Sequence, residues 1–201
     1  MKLKSIILVF TLFLIYFIFN SFSYSHSISN NLEENLFRLR VVANSNSKID
    51  QDLKIKVRNS ILNYLSKFNL SNKEETILHL KNHQTDIETI ISNIIKENGF
   101  DYTFQFEISN SFYPAKKYNS ITLPSGNYDG LQIKLGNAKG ENWWCILFPP
   151  MCLINSSTCE LEENSNELLS NNLSNETTHI IQSSEPKYKF KFKIIDFINN
   201  L

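Results

Sequence analysis

The sequence predicts an α+β fold: two or three helices packed on a mostly antiparallel sheet of about four to five strands, preceded by an N-terminal signal or anchor segment. Three observations predict it. An uncharged apolar run, "SIILVFTLFLIYFIF", follows Lys2 and Lys4. Apolar residues at helical spacing then fill the stretch up to Gly99, and beyond it the period switches to two. Helices and strands are segregated rather than alternating, which favours a helical layer over a sheet.

Two positive residues ahead of an apolar run from Ser5 to Phe19 form the n-region and h-region of a secretory signal. The run falls short of the ~20 residues a spanning helix needs. Ser21, Ser23 and Ser25 offer small-x-small processing positions. Residues 1–25 are read as a signal peptide or N-terminal membrane anchor, and the protein as exported. The folded domain is expected over 34–154, an Asn/Ser-rich linker over 155–186, and a C-terminal strand or short helix over 187–201.

The first strand is "LFRLRVVA", Leu36 to Ala43, where Phe37, Leu39 and Val41 alternate with Arg38 and Arg40 as on a half-buried strand. Ser47 with Asp50 three residues on is a capping box, so a helix starts near Lys48. Leu53, Val57, Ile61, Leu65 and Phe68 give it one apolar face. Ser71 and Glu74 form a second box. The helical face from Ile77 to Ile95 stops at Gly99, with a break expected within "KNHQTD". "DYTFQFEI" is the cleanest strand. "ITLPSGNYDG" reads as a short strand and turn, "LQIKLG" as another strand, and "WWCILF" as the last. That last strand is apolar on both faces, so it is central and covered twice, or offers one face to a partner. The polar stretch from Asn155 to Glu185 has no period and reads as linker or disordered. In "KYKFKFKIIDFINNL", Tyr188, Phe190 and Phe192 alternate with lysines, an edge-strand pattern; the rival is a basic membrane-surface patch.

Composition excludes several functions. Net charge is zero, and removing Lys2 and Lys4 leaves the exported part near −2, which gives no electrostatic case for nucleic acid. Neither GxGxxG nor GxxxxGK[ST] is present. His79 and His83 sit one helical turn apart, but Leu80 stands where a zincin has Glu, and the pair reads as two solvated histidines. No G-x-S-x-G elbow accompanies the four histidines, His26, His79, His83 and His179, and no Asp-Thr/Ser-Gly loop is found. Consecutive carboxylates, Glu33-Glu34 and Glu74-Glu75, read as solvated faces. No cofactor and no metal site is expected, and the chain is read as non-catalytic.

The densest stretch is "GENWWCILFPPMC", Gly140 to Cys152, which holds both tryptophans of the chain. An aromatic cluster rimmed by Lys139, Glu141 and Asn142 has the make-up of a recognition hot spot. One Trp is expected inside and the other facing a partner. Three cysteines in an exported chain allow one bridge at most. Cys145 and Cys152 are the disulfide candidates; two reduced, buried thiols remain the alternative. "ANSNS" around Asn44 sits at a helix N-terminus, where partner groups dock or a simple cap forms.

"FRLRVVANSNSKIDQDLKIKVRNSIL", "FYPAKKY" and "LPSGNYDGLQIKLGNAKGENWWCILFPPMC" resemble the stage II sporulation protein R family of endospore-forming Firmicutes. The resemblance spans about Arg38 to Leu153. Arg40 departs from a common His, Asn46 from a usual Asp, and Cys159 has no counterpart. The resemblance implies a forespore-made, exported signal in the space between forespore and mother cell. It also implies a partner: the membrane-embedded sporulation aspartyl protease that processes the sigma-E precursor. Candidate partner-binding residues are Trp143, Trp144, Phe148, Pro149, Asn142, Arg38 and Asn44. A secreted hydrolase acting on the septal wall is the alternative function.

Overall fold

The computed structural model describes residues 3–118, 121–151 and 165–182. The elements in chain order are α1 (Leu3–Asn35), β1 (Phe37–Val42), α2 (Lys48–Leu65), α3 (Lys73–Asn82), α4 (Gln84–Glu97), β2 (Phe104–Tyr113), β3 (Lys116–Tyr118), β4 (Ile121–Leu123), β5 (Gly126–Leu135), β6 (Asn142–Phe148), α5 (Ser165–Asn172) and α6 (Asn175–Gln182). The fold is α+β, as the sequence predicts. The described residues hold six helices rather than two or three, and a mixed four-stranded sheet of order β2-β5-β1-β6. β1 runs parallel to β5; β2–β5 and β1–β6 are antiparallel. β3 and β4 form a separate antiparallel pair.

Local sequence explains the helix ends. Ser47 caps α2, its hydroxyl accepting from the Asp50 N–H at 3.3 Å. The α3 cap is one residue later than the Ser71/Glu74 box: Asn72 Oδ1 accepts from Glu75 N–H at 2.7 Å, and the Glu75 carboxylate reaches back to the Ser71 N–H at 2.8 Å. The shift follows from side-chain chemistry, since Asn caps as well as Ser and a Glu still lies three residues on. The break falls at His83. Gly99, at φ +80, closes α4 with Gly99 N–H to Lys96 C=O and Phe100 N–H to Ile95 C=O, the paired bonds of a Schellman end.

One sheet face carries Phe37, Leu39, Val41, Leu131, Ile133 and Leu135. It packs on Leu53, Val57 and Ile61 of α2, Leu80 of α3, and Ile87, Ile91 and Ile95 of α4. These side chains are 0–3% exposed, so each contributes roughly 1.5–3 kcal/mol by leaving water. The helical layer expected from periodicity is this one.

The opposite face is covered too. Ile28, Leu32 and Leu36, the β3–β4 pair, and Leu169, Leu173 and Ile181 bury Tyr113, Tyr128 and Ile146. Two sequence readings are thereby corrected. Residues 165–182, expected as unstructured linker, hold α5 and α6; Leu169, Leu173 and Ile181 supply an apolar stripe that Asn and Ser dilute without abolishing. β1 is covered on both faces, so Arg38 is fully buried rather than solvated. The folded body thus reaches beyond 34–154. The expected strand over 187–201 lies outside the described residues.

α1 joins the apolar segment to this body without a break. It is exposed from Leu3 to Ser27 and then buries Ile28 and Leu32. By length and composition it is long and apolar enough to cross a membrane. Its end is latched by Lys73, whose Nζ donates to the Glu33 carbonyl at 2.6 Å and pairs with Asp129 at 2.7 Å.

Candidate functional site

β6 is an edge strand, with both faces covered along its C-terminal half. Asn142, Trp143 and Trp144 are half-buried, whereas every residue from Cys145 to Pro149 is buried. The division of labour between the two tryptophans differs from expectation. Neither is sealed and neither is open; successive strand residues point to opposite faces, so each indole emerges on its own side of the sheet.

Each indole lies under an arginine. On the helical face the Arg58 guanidinium of α2 sits 4.1 Å from the Trp143 ring centroid. On the other face Arg40 of β1 sits 5.0 Å from Trp144, whose ring also meets Tyr113 edge-on at 5.2 Å. Half-buried cation–π contacts of this kind contribute about 0.5–2 kcal/mol each and hold the rings in fixed orientations. Arg40 is itself pinned. Its Nε donates to Asn142 Oδ1 at 2.8 Å and its Nη1 to Gln132 Oε1 at 3.3 Å; the Gln132 amide donates onward to Ser109 and Ser111 at 3.2 and 3.0 Å. A polar chain therefore crosses the whole sheet from the tryptophans to β2.

The loop ahead of β6 is stitched to the β1–α2 turn. Gly140 N–H donates to Ala43 C=O at 2.9 Å, Lys139 N–H to Asn44 C=O at 3.1 Å, Glu141 N–H to Asn46 Oδ1 at 2.7 Å, and Asn137 N–H to Asn44 Oδ1 at 2.8 Å. A β-carbon on Gly140 would run into the Ser45 carbonyl, so this close approach requires glycine. Asp50 holds the turn. Its carboxylate accepts from Ser45 Oγ at 2.5 Å, Asn44 Nδ2 at 3.0 Å and Tyr102 OH at 3.1 Å. Burial alone would raise this carboxyl, but the hydrogen bonds of Ser45, Asn44, Tyr102 and Ser47 outweigh it and hold it below the usual carboxylate range. Lys54 braces the same loop, Nζ donating to the Glu141 carbonyl at 3.0 Å and to Gln51 at 2.5 Å. Burial, aided by the nearby Arg58 charge and opposed by Glu141, lowers its pKa.

Between these supports lies a groove of about 340 Å³, lined by Gln51, Lys54 and Ile55 of α2, Lys116 of β3, and Asn142 to Trp144 of β6. A smaller apolar hollow of about 220 Å³ adjoins the far end of β6, between Leu62, Leu65, Phe68, Phe148 and Pro150.

The structure brings Asn142, Trp143 and Trp144 together at one surface and separates the other candidates from it. Phe148 is 5% exposed and Pro149 is buried, because α2 and the second layer close over that half of the strand; Phe148 faces outward only into the apolar hollow. Arg38 is sealed among Tyr113, Tyr128 and Tyr118. Its guanidinium lies 4.6 and 5.0 Å from the first two rings, and Nη2 donates to Tyr118 OH at 3.0 Å. It is a core cation, not a docking group. Burial pushes the Tyr113 and Tyr128 phenols up to about 12, against the pull of the Arg38 charge. Asn44 is half-buried and its amide is spent on the loop and on Asp50. Arg40, Arg58, Lys54 and Lys116 complete the site without any mark in the sequence. Arg40 and Arg58 are visible only through strand register and helix packing.

Cys145 is disulfide-bonded; Cys152, the candidate partner, lies outside the described residues. His79 and His83, read as solvated, are half-buried in an aromatic stack, His79 lying 4.1 Å from Phe68 and 4.4 Å from His83 between centroids. Phe68, just past the end of α2, leans over α3 and covers part of both rings. Among the described residues no three His, Cys, Asp or Glu side chains converge as metal ligands.

A family model described as stage II sporulation protein R matches residues 33–158, a span that contains the sheet, α2 to α4 and the groove. The chain is 30% identical over 131 residues to "Stage II sporulation protein R" of Bacillus subtilis (strain 168), covering 64% of this chain and 58% of that protein. It therefore aligns with less than two thirds of the relative's length. No solved structure matches.

Proposed function

The chain belongs to the stage II sporulation protein R family, and from that premise we propose that it is an exported, non-catalytic sporulation signal. Its partner in this reading is the membrane-embedded sporulation aspartyl protease, which it activates to process the sigma-E precursor across the septum. It acts in the space between forespore and mother cell. The N-terminal helix, apolar and solvent-facing up to Ser27, supports export or anchoring.

One observation carries the contact surface. Two tryptophans stand half-exposed on opposite faces of one strand edge, each backed by an arginine and braced by a hydrogen-bonded loop. Large rigid aromatics on a pre-organised rim dominate the energetics of recognition. Activation then requires only that the signal bind one state of the protease better than another.

The test is co-expression with the protease and the sigma-E precursor in a non-sporulating host, scoring precursor cleavage. Cleavage should depend on the wild-type chain and be lost with Trp143→Ala or Trp144→Ala, each first shown to be folded and exported. No cleavage with the wild-type chain sinks the signalling reading. Cleavage kept by both folded variants moves the contact surface elsewhere.

A further inference from the structure

The sheet ends at β2 on the side away from the tryptophans; among the described residues β2 has β5 on one side and no strand on the other. Gly136 N–H donates to Thr103 C=O at 2.8 Å, one step ahead of the β2–β5 register. In an antiparallel ladder successive residues turn their N–H and C=O to opposite sides. Gln105, Glu107, Ser109 and Ser111 therefore give their backbone groups to β5, and those of Phe104, Phe106, Ile108, Asn110 and Phe112 point out from the edge. The devices that usually blunt such an edge are missing from this strand. It has no proline and no lysine, its register runs unbroken over 10 residues, and its one charge, Glu107, is paired with Lys134 at 3.2 Å.

The two ends of β2 complement each other. Phe112, near the C-terminal end, is 62% exposed. At the other end Phe104 borders an open groove of about 320 Å³, walled by Ser92, Ile95 and Lys96 of α4 and by Phe100 and Tyr102. Phe104 and Phe112 are an even number of residues apart, so both side chains stand on the helical face of the sheet. Two β2 strands laid antiparallel about a two-fold axis at Ile108 set Phe104 against Phe112, Phe106 against Asn110, and Ile108 against itself. Every outward backbone group named above then has a partner, and Glu107 lies across from Ser109. An axis at Glu107 instead would oppose two carboxylates and leave Phe112 beyond the pairing. We infer that β2 pairs with β2 of a second copy of this chain, each Phe112 seating in the groove beside the other copy's Phe104. The contact uses the same patch on both copies, so both grooves fill at once. The joined sheet carries a β6 edge at each end, which makes the signal proposed above bivalent.

The test is the mass of the full chain in detergent micelles, by sedimentation over a range of protein concentrations, joined to residue-resolved amide hydrogen exchange. A dimer that dissociates on dilution is expected. Dilution should speed the Phe106, Ile108 and Asn110 amides by tenfold or more, while Gln105, Glu107 and Ser109 stay slow throughout. Phe112→Lys and Asn110→Pro should each raise the dissociation constant by tenfold or more. The first removes the seated ring; the second removes an outward N–H that β5 does not use. Slow Gln105 and Glu107 amides in each variant show that the ladder to β5 is intact; where a variant loses it, the exchange pattern of the wild-type chain decides. A chain that stays monomeric up to about 0.1 mM overturns the inference. A dimer whose Phe106, Ile108 and Asn110 amides exchange fast, or one that both folded variants keep, joins through another surface, α1 included, and overturns it too.

Discussion

Replacing Asp50 by Asn alters one atom at a carboxylate that is 4% exposed and accepts three side-chain hydrogen bonds. Ser45 and Asn44 both donate to Oδ2, and Tyr102 to Oδ1. In the variant one of these oxygens becomes an NH₂ that faces donors and can accept nothing. A hydrogen bond to a charged group contributes about 1.5–3 kcal/mol, and one or two are lost. Relief from burying a charge offsets part of this, leaving an expected loss of about 2–4 kcal/mol at pH 7. The carboxyl's folded pKa lies below its ordinary 3.8. Its contribution is therefore present above that value and fades as pH falls through the folded one. Urea unfolding of the full chain in detergent, followed by tryptophan fluorescence, reads the difference directly. The gap between wild type and Asp50→Asn should narrow steadily below about pH 4. A gap under about 1 kcal/mol at pH 7, or one that persists unchanged in acid, refutes the account of the carboxylate as the anchor of the β1–α2 turn.

Two further outcomes follow from the same packing. Leu169→Ala should cost about 2–5 kcal/mol in urea unfolding, whereas Asn171→Ala on the exposed side of α5 should be near neutral; equal effects would remove α5 from the core. Burial, and then the charge of His83, lower the His79 pKa, with Glu75 pulling the other way. The unfolded chain thus binds this proton more tightly, so stability is intact above the ordinary 6.5 and falls as pH drops through it. Thermal unfolding at pH 7.5 and 5.5 should show this slope, and His79→Gln should flatten it; an unchanged slope in the variant assigns the effect to other groups.

The helical layer was legible because its information is local. Ser47, Gly99 and the spacing of Leu53, Val57 and Ile61 each act within a few residues of the chain. The second layer was not. Alternation of Arg38 and Arg40 with Phe37, Leu39 and Val41 looks the same whether the far face meets water or tyrosines. The residues that cover that face come from α1, read as signal, and from α5 and α6, read as linker because Asn and Ser outnumber their leucines. Trp143 and Trp144 stand out in the sequence by sheer aromatic density, and the structure places both half-buried on one strand edge. The burial of Phe148 and Pro149 depends on what closes over the end of β6, which no local pattern records. Arg40 pairs with Trp144 through strand register, a relation between distant parts of the chain.

α1 ends as part of the core it introduces, and this bears on how far the protein travels. Its last buried residues, Ile28 and Leu32, lie beyond Ser25, so a cut at the serine positions leaves them in place. Shape and release are thus separable. While the helix is whole, about eight residues separate Asn20 from Ile28, a rod of about 12 Å at 1.5 Å per residue. In the reading proposed above, a stalk this short would hold the tryptophan edge close to a membrane surface at high effective concentration. A cut form would keep its fold and dilute into the whole compartment. Under that proposal the length of one helix sets the range of the signal.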